Sequence, residues 1–318
     1  MEHSEFVWSA AALQLQICFF LMVHDKPNQF RRLVSAIYND KDHFIVHVSA
    51  AATDDDKQSF TRIARDYPRL EFLPSRMTHW GHWSLVETHA AAITRALQIP
   101  DWDYMINLSG ACYPLKPVDE IRQRLLEAAE ECGACDADGA PTGNSLWPNY
   151  VTIQHLDQCP GHVRERFNHY WYLFKGKLRK IPLIRRKPPA SIDAQWKGSN
   201  WSVLHRDFCT WLDRDPLVAT ANAFLRRCKL PEEFWLPWLI MSSPFRDTRS
   251  ANRHLIHWTP GMAHPHVLVS KDFDELIGSD AFFARKFDPN VDSTILDMLD
   301  EVSKRGLGEP RLQRRQSS

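Results

Sequence analysis

Two short segments of the sequence carry side chains that could do chemistry together. Residues 282–288 read FFARKFD and enclose an Arg-Lys pair in aromatic rings, and residues 231–235 read PEEFW. A planar guanidinium beside an ammonium can neutralise a diphosphate that gains charge as a bond breaks. A carboxylate can take a proton from a hydroxyl group. The two segments therefore suit the transfer of a sugar from a nucleotide donor, because the leaving diphosphate and the acceptor hydroxyl each need such a partner.

The acidic segment places Glu233 in a favourable electrostatic position. Pro231 is a good first residue for a helix, so the pattern predicts a helix that begins there and carries Glu233 near its third position. Unpaired amides and the helix dipole favour an ionised carboxylate at that point, as a base requires. Trp235 follows closely and could stack on the face of a sugar. The plainer alternative is that Glu232 and Glu233 are ordinary first-turn acids and that Trp235 belongs to the core.

The basic segment requires an irregular backbone if both cations are to bind one diphosphate. Arg285 and Lys286 are adjacent, so their side chains would diverge on a regular helix or strand. A short helix that begins at Ser279 and ends near Ala284 would provide the irregularity. The alternative interpretation is an exposed basic pair on the surface.

Several clusters resemble metal or redox sites, and each has a simpler interpretation. Asp54, Asp55 and Asp56 precede a helical pattern and suit its cap, and Asp101 and Asp103 suit a turn. The pairs His79/His82 and His264/His266 lack helical metal-site spacing with a carboxylate partner, and Cys132/Cys135 has no second pair to complete it. We therefore expect no metal site and no cofactor.

Composition limits the classes of partner and compartment. The 318 residues include 39 Lys+Arg and 39 Asp+Glu, so the net charge is zero and no long-range field favours nucleic acid. The seven scattered cysteines favour reduced thiols over a disulfide framework. The apolar stretch from Phe6 to Val23 is interrupted by polar residues and flanked by glutamates, which disfavours a membrane span. These features predict a cytoplasmic protein.

Alternating apolar strands and amphipathic helices indicate the fold class. The pattern predicts strands at 17–24, 44–48, 70–73, 104–108 and 202–204, with helices from Pro27, across 60–64, over 84–97, from Val118, around 208–212 and from Asp292. This order predicts an α/β fold with a Rossmann-type, mostly parallel sheet flanked by helices. Ligands are expected at the carboxyl ends of the strands, near His24, Ser49, Ser75 and Ser109.

The domain boundaries follow from the same pattern. We expect an N-terminal extension at 1–15, a single domain at 16–305 and a flexible tail at 306–318, with a nucleotide half at about 16–130 and an acceptor and catalytic half at about 198–305. Periodicity fades between Cys132 and Lys197, which predicts a long variable insertion. Its basic stretch, Lys175 to Lys187, is either a solvated face or a surface for an anionic acceptor or a membrane.

Several motifs, in the same order along the chain, resemble those of the core-2/I-branching N-acetylglucosaminyltransferase and peptide O-xylosyltransferase family, most closely its xylosyltransferase side. The matching motifs are MVHDK at 22–26, the strand at 44–48, WGHWSLV at 80–86, NLSGACYPL at 107–115, GSNW at 198–201, PEE at 231–233 and FFARKF at 282–287. The resemblance covers most of residues 16–300. It implies a GT-A type fold and an inverting, metal-independent transfer of xylose or N-acetylglucosamine from a UDP-sugar to a glycan or protein acceptor.

The resemblance also assigns roles to individual positions. The family's base falls on Glu233, and its diphosphate-binding pair falls on Arg285 and Lys286. Further residues expected to contact the donor are Val23, His24, Ser49 and Arg253, and those expected on the acceptor side are Ser199, Trp201 and Trp235. The lack of a membrane anchor and the free thiols suggest a bacterial relative that assembles a surface polysaccharide in the cytoplasm, with peripheral membrane contact through residues 175–187.

Three departures from the family pattern keep other functions open. Ser49 and Cys112 stand where the family usually has Asp, and His254 stands where it has Arg, although Arg253 is only one place away. A catalytically inactive glycan- or nucleotide-binding relative is therefore the leading alternative. A nucleotide-sugar hydrolase is a third hypothesis, because fold resemblance alone does not fix the chemistry.

Overall fold

A seven-stranded sheet forms the centre of the molecule. The computed structural model describes residues 14–135, 147–259 and 264–304. The sheet has the order β12-β6-β11-β4-β1-β2-β3. Its strands are β1 (Ile17–Val23), β2 (His43–Val48), β3 (Leu70–Phe72), β4 (Tyr104–Ser109), β6 (Asn149–Val151), β11 (Ser202–His205) and β12 (Arg249–Ser250). β3, β2, β1 and β4 run parallel to one another, whereas β11 is antiparallel to both β4 and β6. The predicted α/β class is thus confirmed.

Helices cover both faces of this sheet. Those of the first half are α1 (Pro27–Ile37), α2 (Asp54–Ala64), α3 (Ser84–Ala96), α4 (Val118–Glu131) and α5 (His162–Asn168). Those of the second half are α6 (Arg206–Arg214), α7 (Pro216–Leu225), α8 (Trp235–Met241), α9 (Phe273–Gly278) and α10 (Thr294–Lys304). The N-cap of α2 is Thr53, whose side chain accepts from the Asp56 amide, while the aspartates that were expected to cap it form its first turn. As expected, Asp292 stands at the start of α10, where its carboxylate accepts from the Thr294 amide.

The central strand β1 divides the core into two parts. Ile17, Phe19 and Leu21 point into one buried cluster, while Cys18 and Phe20 point into the other. Alternate side chains of a strand face opposite sides of its sheet, so a strand that is apolar throughout must be covered on both faces. The run ICFFLMV therefore positions a rigid strand whose carboxyl end, at Val23, opens towards the candidate site.

A small second sheet carries the basic segment. Its order is β13 (His254–Ile256), β14 (Phe283–Arg285) and β5 (Cys112–Pro114). The expected helix from Ser279 to Ala284 is wrong, because Ser279 follows the end of α9 and residues 283–285 pair with strands on both sides. β14 ends at Arg285, so Lys286 lies just outside the regular strand. This pairing attaches the basic segment to β5, which follows directly after β4.

The region between Cys132 and Lys197 is only partly an insertion. β6 belongs to the central sheet, and the short strands β7 (Gln154–His155) and β10 (Trp196–Lys197) pair with each other. A two- or three-residue strand leaves no detectable periodicity, which is why the sequence pattern missed these elements. What projects is the hairpin of β8 (His169–Phe174) and β9 (Lys177–Arg185). Its turn residues, Lys175 and Gly176, both have positive φ, as a two-residue hairpin turn requires.

No helix in the described ranges is long and apolar enough to cross a membrane. The predicted N-terminal extension, apart from Gln14 and Leu15, and the predicted tail lie outside the described residues. All seven cysteines are described and none forms a disulfide.

Candidate active site

Glu233 lies in a tight turn and not in an α-helix, contrary to the expectation from Pro231. Residues 231–233 form a single 3-10 turn, and α8 starts separately at Trp235. Pro237 explains the break, because a proline inside a continuous helix has no amide to donate and its ring clashes with the carbonyl four residues back, which is that of Glu233. The freed Glu233 carbonyl instead accepts a hydrogen bond of 2.6 Å from the amide of Gly198.

Two cations, rather than a helix dipole, surround the Glu233 carboxylate. Arg166 in α5 donates from Nη1 to Oε2 of Glu233, and Nζ of Lys197 lies 3.9 Å from the same oxygen. No described residue hydrogen-bonds Oε1. The side chain is about one-quarter exposed, at 24%. Two cations therefore hold Oε2 of a partly exposed carboxylate while Oε1 has no described partner, an arrangement that suits a base that serves an incoming hydroxyl.

The neighbouring carboxyl of Glu232 behaves differently because it is buried. Burial raises the pKa of Glu232 to about 8, and the negative charge of Glu233 pushes it in the same direction. Glu232 is 8% exposed, and its Oε2 has no hydrogen-bond partner. At neutral pH Glu232 therefore stays protonated, whereas the adjacent Glu233 contacts two cations. A pair of carboxyls in unlike environments is a recurrent feature of catalytic sites.

The raised pKa of Glu232 predicts that the folded protein becomes less stable as the pH rises. Between pH about 4.5 and about 8 the folded protein keeps a proton on Glu232 that the unfolded chain releases. The stabilisation is therefore full below pH about 4.5 and is lost as pH rises through about 8. The amide of Glu232→Gln cannot ionise, so this variant should lose the contribution of Glu232 to the pH dependence of the free energy of unfolding. That contribution amounts to about a few kcal/mol, or several degrees in Tm, between pH 5 and about 8.5.

Thermal unfolding at a series of pH values measures this slope. Glu127→Gln on the exposed face of α4 is the matched control and should keep the wild-type dependence. A Glu232→Gln profile that is parallel to the wild-type profile would show that burial does not hold a proton on Glu232.

Arg285 and Lys286 lie beside the carboxyl ends of the parallel strands. Arg285 pairs with Cys112 of β5, and the amide of Phe287 donates to the carbonyl of Ala111, just past β4. Asp288 forms an ion pair of 2.6 Å with Lys26, which follows β1. The basic segment therefore crosses the ends of β1 and β4, where open α/β sheets bind their ligands.

Both cations of this segment lack a carboxylate partner among the described residues. The guanidinium carbon of Arg285 lies 4.3 Å from the ring centroid of Trp201, and its Nε is buried without a hydrogen-bond partner. Buried donors are normally satisfied, so an orphaned guanidinium nitrogen suggests a ligand that supplies the acceptor. Burial lowers the pKa of the nearby His254 to about 3, and the charge of Arg285 lowers it further in the same direction. His254 is therefore neutral at pH 7 and adds no positive charge beside Arg285.

One four-residue segment connects the acid to the cations. The amide of Gly198 bonds to Glu233, and the ring of Trp201, three residues later, lies under Arg285. Three peptide steps span at most about 11 Å, which limits the separation of the two ends. The segment is tightly packed, because a Cβ at Gly198 would lie 1.8 Å from the carbonyl oxygen of Thr152. The two sequence segments thus converge on one site.

Comparisons with known proteins identify the family of this chain. The family model described as "Core-2/I-Branching enzyme" matches residues 17–277. The chain belongs to the core-2/I-branching enzyme family. It is 26% identical to "Xylosyltransferase 2" of Homo sapiens over 311 residues and 28% identical to "Xylosyltransferase 1" of Pan troglodytes over 312 residues, in each case over 90% of this chain. It covers 33% and 30% of those two proteins, so it spans about a third of their length.

The residues that were expected on the donor side lie at the strand ends, with one exception. Val23 ends β1, exposed His24 follows it, and the amide of Ser49 donates to the Val23 carbonyl. The hydroxyl of Ser49 accepts a hydrogen bond of 3.0 Å from Thr78. Arg253 is the exception, because its guanidinium packs on the rings of Tyr150 and Phe282 and donates to the carbonyl of Asp280.

His254, rather than Arg253, stands beside Arg285. Its ring stacks on Phe283 and lies 6.2 Å from the ring of Trp201. The register of β13 against β14 places His254 opposite Phe283, so its neighbour Arg253 points to the other side. The one-residue shift that would bring Arg253 to the donor is absent from this pairing.

Two of the three residues expected on the acceptor side, Ser199 and Trp201, belong to the connecting segment, whereas Trp235 lies in the core. The hydroxyl of Ser199 lies 3.0 Å from that of Thr152, and Trp201 supports Arg285. Trp235 was expected to stack on a sugar, but it is 1% exposed and its indole nitrogen donates to Asn222 in the core. A tryptophan near the start of a helix can be either buried or exposed. Trp235 is buried because every residue of α8 packs into the core.

Trp80 is an exposed aromatic on the loop that contacts the Glu233 turn, although the sequence pattern assigned it no role. Its indole is 63% exposed. The carbonyl of the next residue, Gly81, accepts from the amide of Leu230, which immediately precedes the turn. Gly81 has φ +70, and a Cβ there would lie 3.0 Å from the side chain of Leu230. A glycine is therefore needed for the loop to approach the turn this closely.

Arg166 and Lys197 were also missed as parts of the site. Arg166 is 67 positions from Glu233 and lies in the stretch where periodicity fades, so no local signal pointed to it. Lys197 immediately precedes the GSNW motif and could have been noticed for that reason. Within the described ranges no three His, Cys, Asp or Glu side chains gather as metal ligands would. Metal independence stays a prediction.

Proposed function

We propose that this protein is an inverting glycosyltransferase that moves xylose or N-acetylglucosamine from a UDP-sugar to a hydroxyl of a glycan or protein acceptor without a metal ion. The observation that carries this proposal is the segment from Gly198 to Trp201, which joins the Glu233 turn to the basic segment. The Gly198 amide donates to the Glu233 carbonyl, and the Trp201 ring lies under Arg285. Family membership and the likeness to proteins named xylosyltransferase support the same chemistry.

In this mechanism Glu233 acts as the general base. Oε1 of Glu233 takes the proton from the acceptor hydroxyl, and the acceptor oxygen attacks the anomeric carbon from the face opposite UDP. The bond from the anomeric carbon to the phosphate oxygen breaks, so UDP leaves with the electron pair and the configuration inverts. Glu233 later releases its proton to water. Arg166 and Lys197 hold Oε2 and so fix the direction of Oε1.

Arg285 and Lys286 serve the leaving group. The charge that grows on the diphosphate is stabilised by cations whose positions are fixed before the reaction, so little reorganisation is needed as the bond breaks. The planar guanidinium can bind two phosphate oxygens, while the ammonium acts as a point charge. Trp201 positions Arg285 through its ring face. We assign Val23, His24 and Ser49 to the nucleotide side, and Trp80 to the acceptor as a stacking platform in place of Trp235.

A panel of UDP-sugars in a thermal-shift assay tests the proposal. A ligand that binds only the folded state should raise the melting temperature, with about 2.7 kcal/mol of stabilisation at a concentration 100 times Kd. We expect UDP-xylose or UDP-N-acetylglucosamine to give the largest shift and EDTA to leave it unchanged. A shift that EDTA abolishes would contradict the metal-free mechanism.

Release of UDP separates the proposed transferase from the alternatives. A transferase should release UDP much faster when an acceptor is present, and a hydrolase should release it equally fast without one. An inactive binding relative would show the thermal shift without any release of UDP. Either of the latter outcomes would overturn the proposed activity.

A further inference from the structure

The β8–β9 hairpin has one face that is fixed to the body of the protein and one face that is not. On the inner face, the amide of Trp171 donates to the carbonyl of Arg227, and Lys229 lies 5.1 Å from the centroid of the indole ring. Leu178, also on this face, would lie 3.3 Å from a Cβ at Gly81, the glycine that contacts the Glu233 turn. These contacts hold the hairpin in a defined orientation beside the candidate site.

The outer face alternates aromatic, aliphatic and cationic side chains. Tyr170 stands opposite Ile181, Tyr172 opposite Arg179, and Phe174 opposite Lys177. Directly opposed residues of an antiparallel pair project to the same side. All six of these side chains are exposed. The cation contacts on these rings come from the hairpin turn and from the residue after β9, since Lys175 lies 5.7 Å from the centroid of Phe174 and Arg186 lies 4.5 Å from that of Tyr170. The three aromatic rings stay exposed all the same, which is unusual for such a set.

A protrusion of β9 adds aliphatic side chains to this face. Arg185 pairs with His169 while Ile181 pairs with Tyr170, so three residues of β9 face no partner across the ladder. These residues are Pro182, Leu183 and Ile184, and Leu183 is 94% exposed. Leu183 is the most exposed of the large apolar side chains in the part of the chain that the structure describes.

The charge of the hairpin has a single sign. Residues 170–187 contain no Asp or Glu and seven Lys or Arg, at positions 175, 177, 179, 180, 185, 186 and 187. Lys180 pairs with Glu165, and Arg186 packs on Phe224. The other five are exposed and form no ion pair with a described residue. Because the whole chain has a net charge of zero, this local excess gives the molecule one strongly cationic side.

We propose that the outer face of the β8–β9 hairpin docks on the surface of a bilayer that contains anionic phospholipid, with Leu183 and Ile184 inserted at the interface. Aromatic rings, a protruding aliphatic tip and surrounding Lys and Arg are the combination that interfacial binding uses. A second copy of the chain does not fit, because two such cationic faces repel each other. A soluble polyanion could bind the cations but would leave the aliphatic side chains of Leu183 and Ile184 exposed to water.

Sedimentation of the full chain with vesicles tests the proposal. The probes are vesicles of phosphatidylcholine with about 30% phosphatidylglycerol and vesicles of phosphatidylcholine alone, in about 0.1 M salt. The protein should bind the first and leave the second largely free. Leu183→Asp should lower partitioning at least ~10-fold, because it puts a charge where an apolar side chain inserts. Each lost cation lowers partitioning by roughly fivefold, so Lys177→Glu with Arg179→Glu should reduce it by ~25-fold or more.

Matched variants at distant exposed sites serve as controls. Val291→Asp makes the same kind of change at a side chain that is 61% exposed, and Arg65→Glu with Arg69→Glu makes the same change of charge near the end of α2. Both should leave partitioning within about twofold of the wild type, since they lie outside the docking face. Unchanged melting temperatures would show that all variants fold.

Three results would overturn the proposal. Equal binding to both kinds of vesicle would remove the role of anionic lipid. A loss of binding in the charge variant with no change in Leu183→Asp would exclude insertion. Retention on a heparin column without any vesicle binding would assign the face to a soluble polyanion.

Discussion

Glu233→Gln should lower turnover by about 10²–10⁴-fold, the usual cost of removing a general base, while Kd for UDP stays within about threefold of the wild-type value. The amide keeps the size of the side chain and can still accept from Arg166, so the turn from Pro231 to Glu233 should keep its shape. What disappears is the ability to take a proton from the acceptor hydroxyl. Initial rates of transfer with saturating donor, together with calorimetry of UDP binding, measure the two effects separately.

Glu232→Gln is the matched control for this experiment. The two residues are adjacent and the change is chemically the same, but burial raises the pKa of Glu232 to about 8, so its side chain is already neutral at pH 7. Replacing a neutral acid by a neutral amide should leave turnover within about threefold of the wild type. Normal turnover in Glu233→Gln, or an equal loss in both variants, would remove Glu233 from the role of base.

The fold could be predicted wherever apolar residues repeat without interruption. The run ICFFLMV can satisfy its burial only as an inner strand of a covered sheet, and the residues that cap α2 and α10 mark their starts by side-chain chemistry alone. The prediction failed for Phe283–Arg285, because three residues carry too little pattern and their pairing partners, β13 and β5, are distant in sequence. The hairpin was missed for another reason, since Trp171 and Leu173 stand between Tyr170, Tyr172 and Phe174, so β8 shows no alternation of apolar and polar residues.

The sequence contains the reason why no α-helix runs on from Pro231 through Glu233. Pro237 was visible, and its ring forbids an α-helix that includes the carbonyl of Glu233. A turn at Glu233 could therefore have been predicted from the sequence. The donor that hydrogen-bonds the Glu233 carbonyl, the amide of Gly198, could not. Gly198 accepts no side chain because Thr152 and Pro237 fill the space where a Cβ would lie, and this contact depends on the tertiary structure. The same limit applies to Arg166, which reaches Glu233 only through the packing of α5.

The second large effect is expected at the basic pair. Arg285→Ala combined with Lys286→Ala should weaken UDP binding by ~10²–10⁴-fold, because hydrogen bonds to a charged group are worth about 1.5–3 kcal/mol each and two cations are removed. Neither side chain forms an ion pair with a described residue, and Nε of Arg285 is buried without a partner, so the loss should appear in binding more than in stability. Isothermal calorimetry with UDP gives the affinity directly.

Comparison of ligands locates the effect on the diphosphate. Binding of UMP, which has one phosphate, should weaken less than binding of UDP, and binding of uridine should change least, because these cations are assigned to the phosphates and not to the base. Arg31→Ala with Arg65→Ala removes the same two charges from exposed positions of α1 and its neighbour α2, and should change the affinity for UDP by less than about threefold. Unchanged affinity in the double variant at 285 and 286 would contradict the assignment of the diphosphate to this pair. A loss in Arg253→Ala as large as that in Arg285→Ala would show that the donor recruits a side chain that now packs on Tyr150, and the nucleotide would then lie closer to β13 than the geometry of Trp201 and Arg285 implies.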